Sequence, residues 1–127
     1  MNYTSIEQSK KLLELGLSRE SADMTYPWYI EEDGDRFEDG HQITTPKIGK
    51  TNWRGYIPCW SVGALLGLMP KCIVVDGDNY FQYIAMGDTV SYCNVKDEKL
   101  VLFNYDFLLD SLFAMVVWLI ENNYIKN

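Results

Sequence analysis

Between Gly40 and Val75 the chain carries no Asp or Glu, although acids outnumber bases by eighteen to eleven over all 127 residues. The gap divides the charge into three stretches. Residues 1–39 hold ten acids and four bases, residues 76–127 hold eight and three, and the middle holds only Lys47, Lys50, Arg54 and Lys71. An overall charge of -7 repels nucleic acid and anionic membrane at long range, whereas a basic strip still attracts phosphate within a Debye length of about 8 Å. Nucleic acid is therefore disfavoured as a partner without being excluded. Pairing of the strip with neighbouring acidic loops is the simpler account, because surface charges contribute little individually.

Cysteine is scarce too. Cys59, Cys72 and Cys93 form an odd set with separations of 13 and 21, which suits neither a disulfide framework nor zinc ligation and favours a reducing compartment. Residues 1–8 lack a basic region followed by an apolar run, so no signal peptide is expected and the location read from the chain is cytoplasmic. The longest uncharged apolar run, residues 112–120, has nine residues, far short of the roughly 18 that span a bilayer. No membrane partner is expected, and no internal repeat is visible. What is present is apolar side chain, 47% of residues with 14% aromatic. A chain of this length then buries roughly two-thirds of its unfolded surface without staples. One domain over residues 1–127 follows.

Thr4-Ser5-Ile6-Glu7 has the form of a capping box, with Thr4 as cap and Glu7 reaching back. The apolar stripe Ile6, Leu12, Leu13 and Leu15 predicts a helix over about 5–15, ended by Gly16 in the left-handed conformation. Ser18 caps a short second turn, and Tyr26-Pro27-Trp28-Tyr29 forces extended backbone. Residues 30–57 carry Gly34, Gly40, Gly49, Gly55 and Pro46 with no sustained period, so the stretch of about 26–57 reads as a long irregular segment with at most short strands. Loops of that length are uncommon in compact domains and tend to be functional.

Ser61 precedes Val62, Ala64, Leu65, Leu66, Leu68 and Met69, a short and largely buried helix over about 61–69 that Pro70 ends. Cys72-Ile73-Val74-Val75, then a turn at Asp76-Gly77-Asp78-Asn79, then residues 80–86 with Phe81, Tyr83 and Ala85 on one face, form a hairpin. Strands around 89–93 and 100–103 continue it as an antiparallel meander. From Leu108 to Tyr124 the apolar positions follow helical spacing, predicting the main core helix over about 106–122 with Asp106 as cap. Helices before and after an antiparallel sheet of three or four strands, over about 72–103, with no βαβ alternation, indicate the α+β class, the C-terminal, N-terminal and 61–69 helices packing on one sheet face.

Cys59, next to Trp60 and just before a helix, stands where amide dipoles lower a thiol pKa, as in papain-like enzymes. The only histidine, His41, lies upstream, whereas the papain-like order places it downstream. Burial as a small hydrophobe is the favoured reading of Cys59, and a cysteine-dependent hydrolase using Cys59 and His41 is the alternative. The acidic stretch 31–40 has calcium-loop composition but fails EF-hand spacing in both frames, because Phe37 falls at a ligand position. Asp76-Gly77-Asp78-Asn79 is accounted for as a turn. Gly49-Lys50-Thr51 ends like a phosphate loop, yet Thr44 stands where its first glycine belongs. No metal and no cofactor are expected. Lys47, Lys50, Trp53, Arg54 and Tyr56 bring cations beside aromatics, the ingredients of weak single-strand nucleic-acid contact. Anchoring of Trp53 and Tyr56 to the core is the simpler account.

Ser9-Lys10-Lys11-Leu12-Leu13-Glu14-Leu15-Gly16-Leu17, Ser21-Ala22-Asp23-Met24, and Pro58-Cys59-Trp60-Ser61 with Leu65-Leu66 and Met69-Pro70 resemble small uncharacterised proteins of gut Bacteroidales genomes and their prophages. The resemblance spans most of the chain and ends in the apolar C-terminal helix. It implies a mobile-element or accessory setting and carries over no known activity, cofactor or catalytic residue. The expectation is then a non-enzymatic interaction protein that binds a protein or peptide through the 26–57 segment, with Trp28, Trp53, Arg54 and Tyr56 as contact residues.

Overall fold

Ser5 opens the first helix, α1 (Ile6–Glu14). In the computed structural model, which describes residues 2–30, 36–38 and 56–125, the Ser5 hydroxyl accepts from the Gln8 amide. The Gln8 side chain accepts from the Ser5 amide in return, completing a capping box. This corrects the expected register, which placed the box on Thr4 and Glu7. The Thr4 hydroxyl is committed to the interior instead, accepting from the Trp60 amide at 2.9 Å and sharing a hydrogen with Ser9 Oγ at 2.8 Å. Gly16, at φ +96, ends the helix as expected. Its N–H donates to Leu13 O and that of Leu17 to Leu12 O, a Schellman closure that seats Leu12 and Leu17 in the core. Ser18 then caps a 3-10 turn, Arg19–Ser21.

The chain next enters strand β1 (Met24–Ile30), which pairs antiparallel with β2 (Arg36–Glu38) and β3 (Tyr56–Cys59) in a sheet of order β2-β1-β3. The expectation of an irregular segment over 26–57 is corrected at its two ends, which are sheet. Met24 to Pro27 pair with β3, and Trp28 to Ile30 pair with β2. Each half of β1 thus has one of these partners, a place where the missing N–H of Pro27 is tolerated. Thr25 faces Pro58 and Tyr26 faces Ile57, separations that no local periodicity reports.

Ser61 caps α2 (Val62–Leu68), accepting from the Ala64 amide. This helix is less buried than its composition suggests. Leu65 is its only fully buried member, because Gly63 and Gly67, four apart, share the solvent side. Strands β4 (Cys72–Val75), β5 (Asp78–Ala85), β6 (Thr89–Cys93) and β7 (Lys99–Asn104) form the predicted antiparallel meander in chain order. The turn between β4 and β5 is shorter than the expected Asp76-Gly77-Asp78-Asn79: Asp76 and Gly77, both at positive φ, make it alone, and Asp78 and Asn79 already pair with Val75 and Val74.

The last helix, α3 (Leu108–Glu121), starts two residues later than expected. Asp106 is not its cap. Phe107 occupies that position without a side-chain hydrogen bond, and Asp110 in the first turn supplies the negative charge that a helix N-terminus favours. Asn123, at φ +63, closes the other end, with Tyr124 N–H donating to Leu119 O.

The main core lies between the three helices and one face of the meander. Leu12, Leu65, Leu109, Leu112, Met115, Val116 and Leu119 meet Ile73, Val90, Tyr92 and Trp60 there. These elements form an α+β fold whose second, smaller sheet the sequence did not reveal.

Candidate interaction surface

Cys59 sits at the end of β3, opposite Met24 of β1. It is fully buried and packs with Ile57, Tyr3, Ile6 and Met24. Burial, with a smaller contribution from the Asp23 carboxylate, pushes its thiol up to about 12. Both effects disfavour the thiolate that a nucleophile requires, so the helix-proximal position does not activate it. The geometry is that of a small core residue.

Next to Cys59 in the chain, Trp60 and Ser61 are held by a polar clasp. Thr4 and Trp60 exchange hydrogen bonds, the Thr4 N–H donating to Trp60 O at 2.9 Å while Thr4 Oγ1 accepts from the Trp60 N–H. Trp60 Nε1 donates to Ser21 Oγ at 3.0 Å, and Asp23 accepts from the Ser61 amide at 3.0 Å and from its hydroxyl at 2.5 Å. Ser9, Ser21, Asp23 and the 58–61 stretch, which stand far apart in the sequence, therefore meet at one place. Thr4, Ser9, Ser21 and Asp23 were not candidate site residues. Their only sequence signal is the presence of small polar groups beside an apolar stripe. The bonds among Thr4, Ser9 and Trp60 satisfy buried polar groups, while those between Asp23 and Ser61 lie in solvent.

The expected contact residues are placed unequally. Tyr56 begins β3 opposite Pro27, and Trp28 of β1 faces Glu38 of β2. Both lie on the small sheet. His41, Lys47, Lys50, Trp53 and Arg54 lie outside the described residues.

The meander presents a different surface. Tyr80, Val90, Tyr92, Val101 and Phe103 face the helices. The alternation of side chains then sends Val74, Phe81, Tyr83, Ser91, Cys93 and Leu102 to the opposite face. Phe81 and Tyr83 belong to the face that the sequence grouped with Ala85, and it is the outward one. Val74 is 60% exposed, Phe81 45%, Tyr83 55% and Leu102 41%. Ser91 and Cys93 between them are small and buried, so β6 forms a floor flanked by larger side chains of β5 and β7.

A second feature lies on the helical side. A groove of about 290 Å³ is lined by Phe103 of β7, by Phe113, Ala114, Val117, Trp118 and Glu121 of α3, and by Lys11 of α1. Trp118 is held there by stacking on Tyr124, with ring centroids 5.6 Å apart. Its size is at the small end of ligand clefts, which start near 300 Å³, so it suits side chains better than a whole metabolite.

Among the described residues, no group of three or more His, Cys, Asp or Glu side chains is placed to hold a metal ion, and no helix is long and apolar enough to cross a membrane. No family model, curated protein or solved structure matches the chain.

Proposed function

We propose that the chain is a non-enzymatic interaction protein that binds another protein or a peptide. The observation that carries this reading is the outward face of the β4–β7 sheet, where Val74, Phe81, Tyr83 and Leu102 leave apolar surface in solvent. Exposed apolar side chains grouped on one sheet face support contact with a partner, and aromatic side chains are enriched in such contacts. The segment 26–57, with Trp28, Trp53, Arg54 and Tyr56, is the second candidate contact on the chemistry of its side chains. A cytoplasmic location agrees with three unpaired cysteines. An accessory role in a phage or mobile element rests on the resemblance of the three sequence blocks.

The test is site-specific photo-crosslinking in the producing cell, with the photoreactive residue at Tyr83, at Trp53, or at exposed Glu7 as control. Discrete heavier adducts from position 83 or 53, absent from position 7, are expected. No adduct from either of the first two positions refutes the reading.

A further inference from the structure

β7 is the last strand of its sheet, and no described strand pairs with its outer side. In an antiparallel strand every second residue directs its N–H and C=O away from its neighbour, so on its outer side β7 presents a row of donors and acceptors that no other described strand pairs. Proteins usually blunt such an edge with charge, proline or shortness. Here Lys99 is the only charged residue of six, and residues 100–103 read Leu-Val-Leu-Phe.

The α3 groove adjoins this strand through Phe103. Phe103 is its only lining residue from the sheet, and none comes from β4, β5 or β6. A strand laid beside β7 would send alternate side chains into the groove, against Phe103, Phe113 and Val117. The intervening side chains would lie beside Leu102 and extend the exposed apolar face. Lys11 and Glu121 on the groove rim favour an occupant that carries charges of both signs around its apolar residues.

We propose that the β7 edge and the α3 groove form a strand-addition site for an extended segment of a protein partner, with apolar side chains at alternate positions. Main-chain hydrogen bonds would supply affinity and the groove would supply selectivity. This deepens the interaction reading and rests on it.

The test uses the full chain as bait against a yeast-displayed library of random short peptides, followed by amide hydrogen exchange on the complex. Enriched peptides are expected to share apolar residues two positions apart and to slow exchange in residues 99–104. Ala114→Glu, which puts a charge in the groove from a partly exposed helical position, should weaken binding tenfold or more while leaving thermal unfolding unchanged. Absence of enrichment overturns the site, as does binding indifferent to Ala114→Glu or binding that slows exchange elsewhere. Concentration-dependent protection of β7 in the free protein also overturns it, because the edge would then belong to a dimer of this chain. In each of these cases crosslinked partners at position 83 or 53 would leave the broader interaction reading standing.

Discussion

Thr4→Val is the most informative single change for the buried clasp. It replaces a fully buried hydroxyl with a methyl of nearly the same size. Two groups lose their partner, the Trp60 amide at 2.9 Å and the Ser9 hydroxyl at 2.8 Å. A buried polar group left unsatisfied costs about 1–3 kcal/mol, and the added methyl returns up to about 0.8 kcal/mol. For two such groups the expected net loss is about 1–6 kcal/mol. With roughly 4 °C per kcal/mol for a domain of this size, the midpoint should fall by at least about 4 °C. Urea unfolding followed by tryptophan fluorescence measures the loss, with an unchanged denaturant slope showing that the folded and unfolded states keep their compactness. Thr4→Ser keeps the oxygen and should lose only about 1 kcal/mol. Ser9→Ala on the Thr4→Val background removes one orphaned group and should recover part of the deficit. Stability of Thr4→Val within about 0.5 kcal/mol of the parent, or equal losses for Val and Ser, would show that the hydroxyl contributes shape and not hydrogen bonding.

Cys59 should react with a small alkylating reagent at pH 7–8 far more slowly than half-buried Cys72, as read by mass spectrometry with each cysteine resolved; fast, selective reaction at Cys59 contradicts its burial. Because its thiol rises from 9.0 to about 12 on folding, the native state holds a proton that the unfolded state releases above about pH 9. Stability should therefore be intact below pH 9 and fall by about 1.4 kcal/mol per unit between 9 and 12. Tyr92, also pushed up by burial, adds to the fall at its upper end, and Cys59→Ala should flatten the first part. Asp23→Asn should lower the Cys59 pKa without bringing it to the free-thiol value, since burial is the larger cause; a pH series of alkylation rates checks this. Two glycines separate backbone conformation from space, because no atom lies within 4 Å of an added methyl at either. Gly77→Ala, at φ +84, should cost about 1–2 kcal/mol, whereas Gly67→Ala in α2 should stabilise by about 0.5–1 kcal/mol; equal signs in calorimetry would refute the distinction.

Much of the candidate surface was half legible. The alternation that groups Phe81 with Tyr83 is plain in the residues, but which side of β5 meets the helices depends on how the whole meander lies on α3. Phe103, Phe113 and Val117 look alike as apolar residues of a strand and a helix. Their meeting in a groove beside β7 follows from the strand order and from the packing of α3 on β7. Cys59 was readable as a buried residue from its chemistry alone. The polar clasp at the neighbouring Trp60 and Ser61 was not, since its contacts join residues 38 positions apart for Asp23 and Ser61 and 56 apart for Thr4 and Trp60.

What the amino-acid order by itself determined are the features governed by neighbours within a few residues. They include the stop of α1 at Gly16, the cap of α2 at Ser61, the Asp76-Gly77 turn and the chain-order meander it begins. Each follows from a backbone preference or a side-chain reach of one helical turn or one hairpin. Tertiary structure alone decided the capping register at Ser5, the start of α3 after Phe107, the pairing of β1 with β3, and the outward face of the sheet. In these cases two local solutions are nearly equal in energy, and a contact from a distant part of the chain chooses between them. The Trp60 amide does so at Thr4, where it takes the hydroxyl that would otherwise cap the helix.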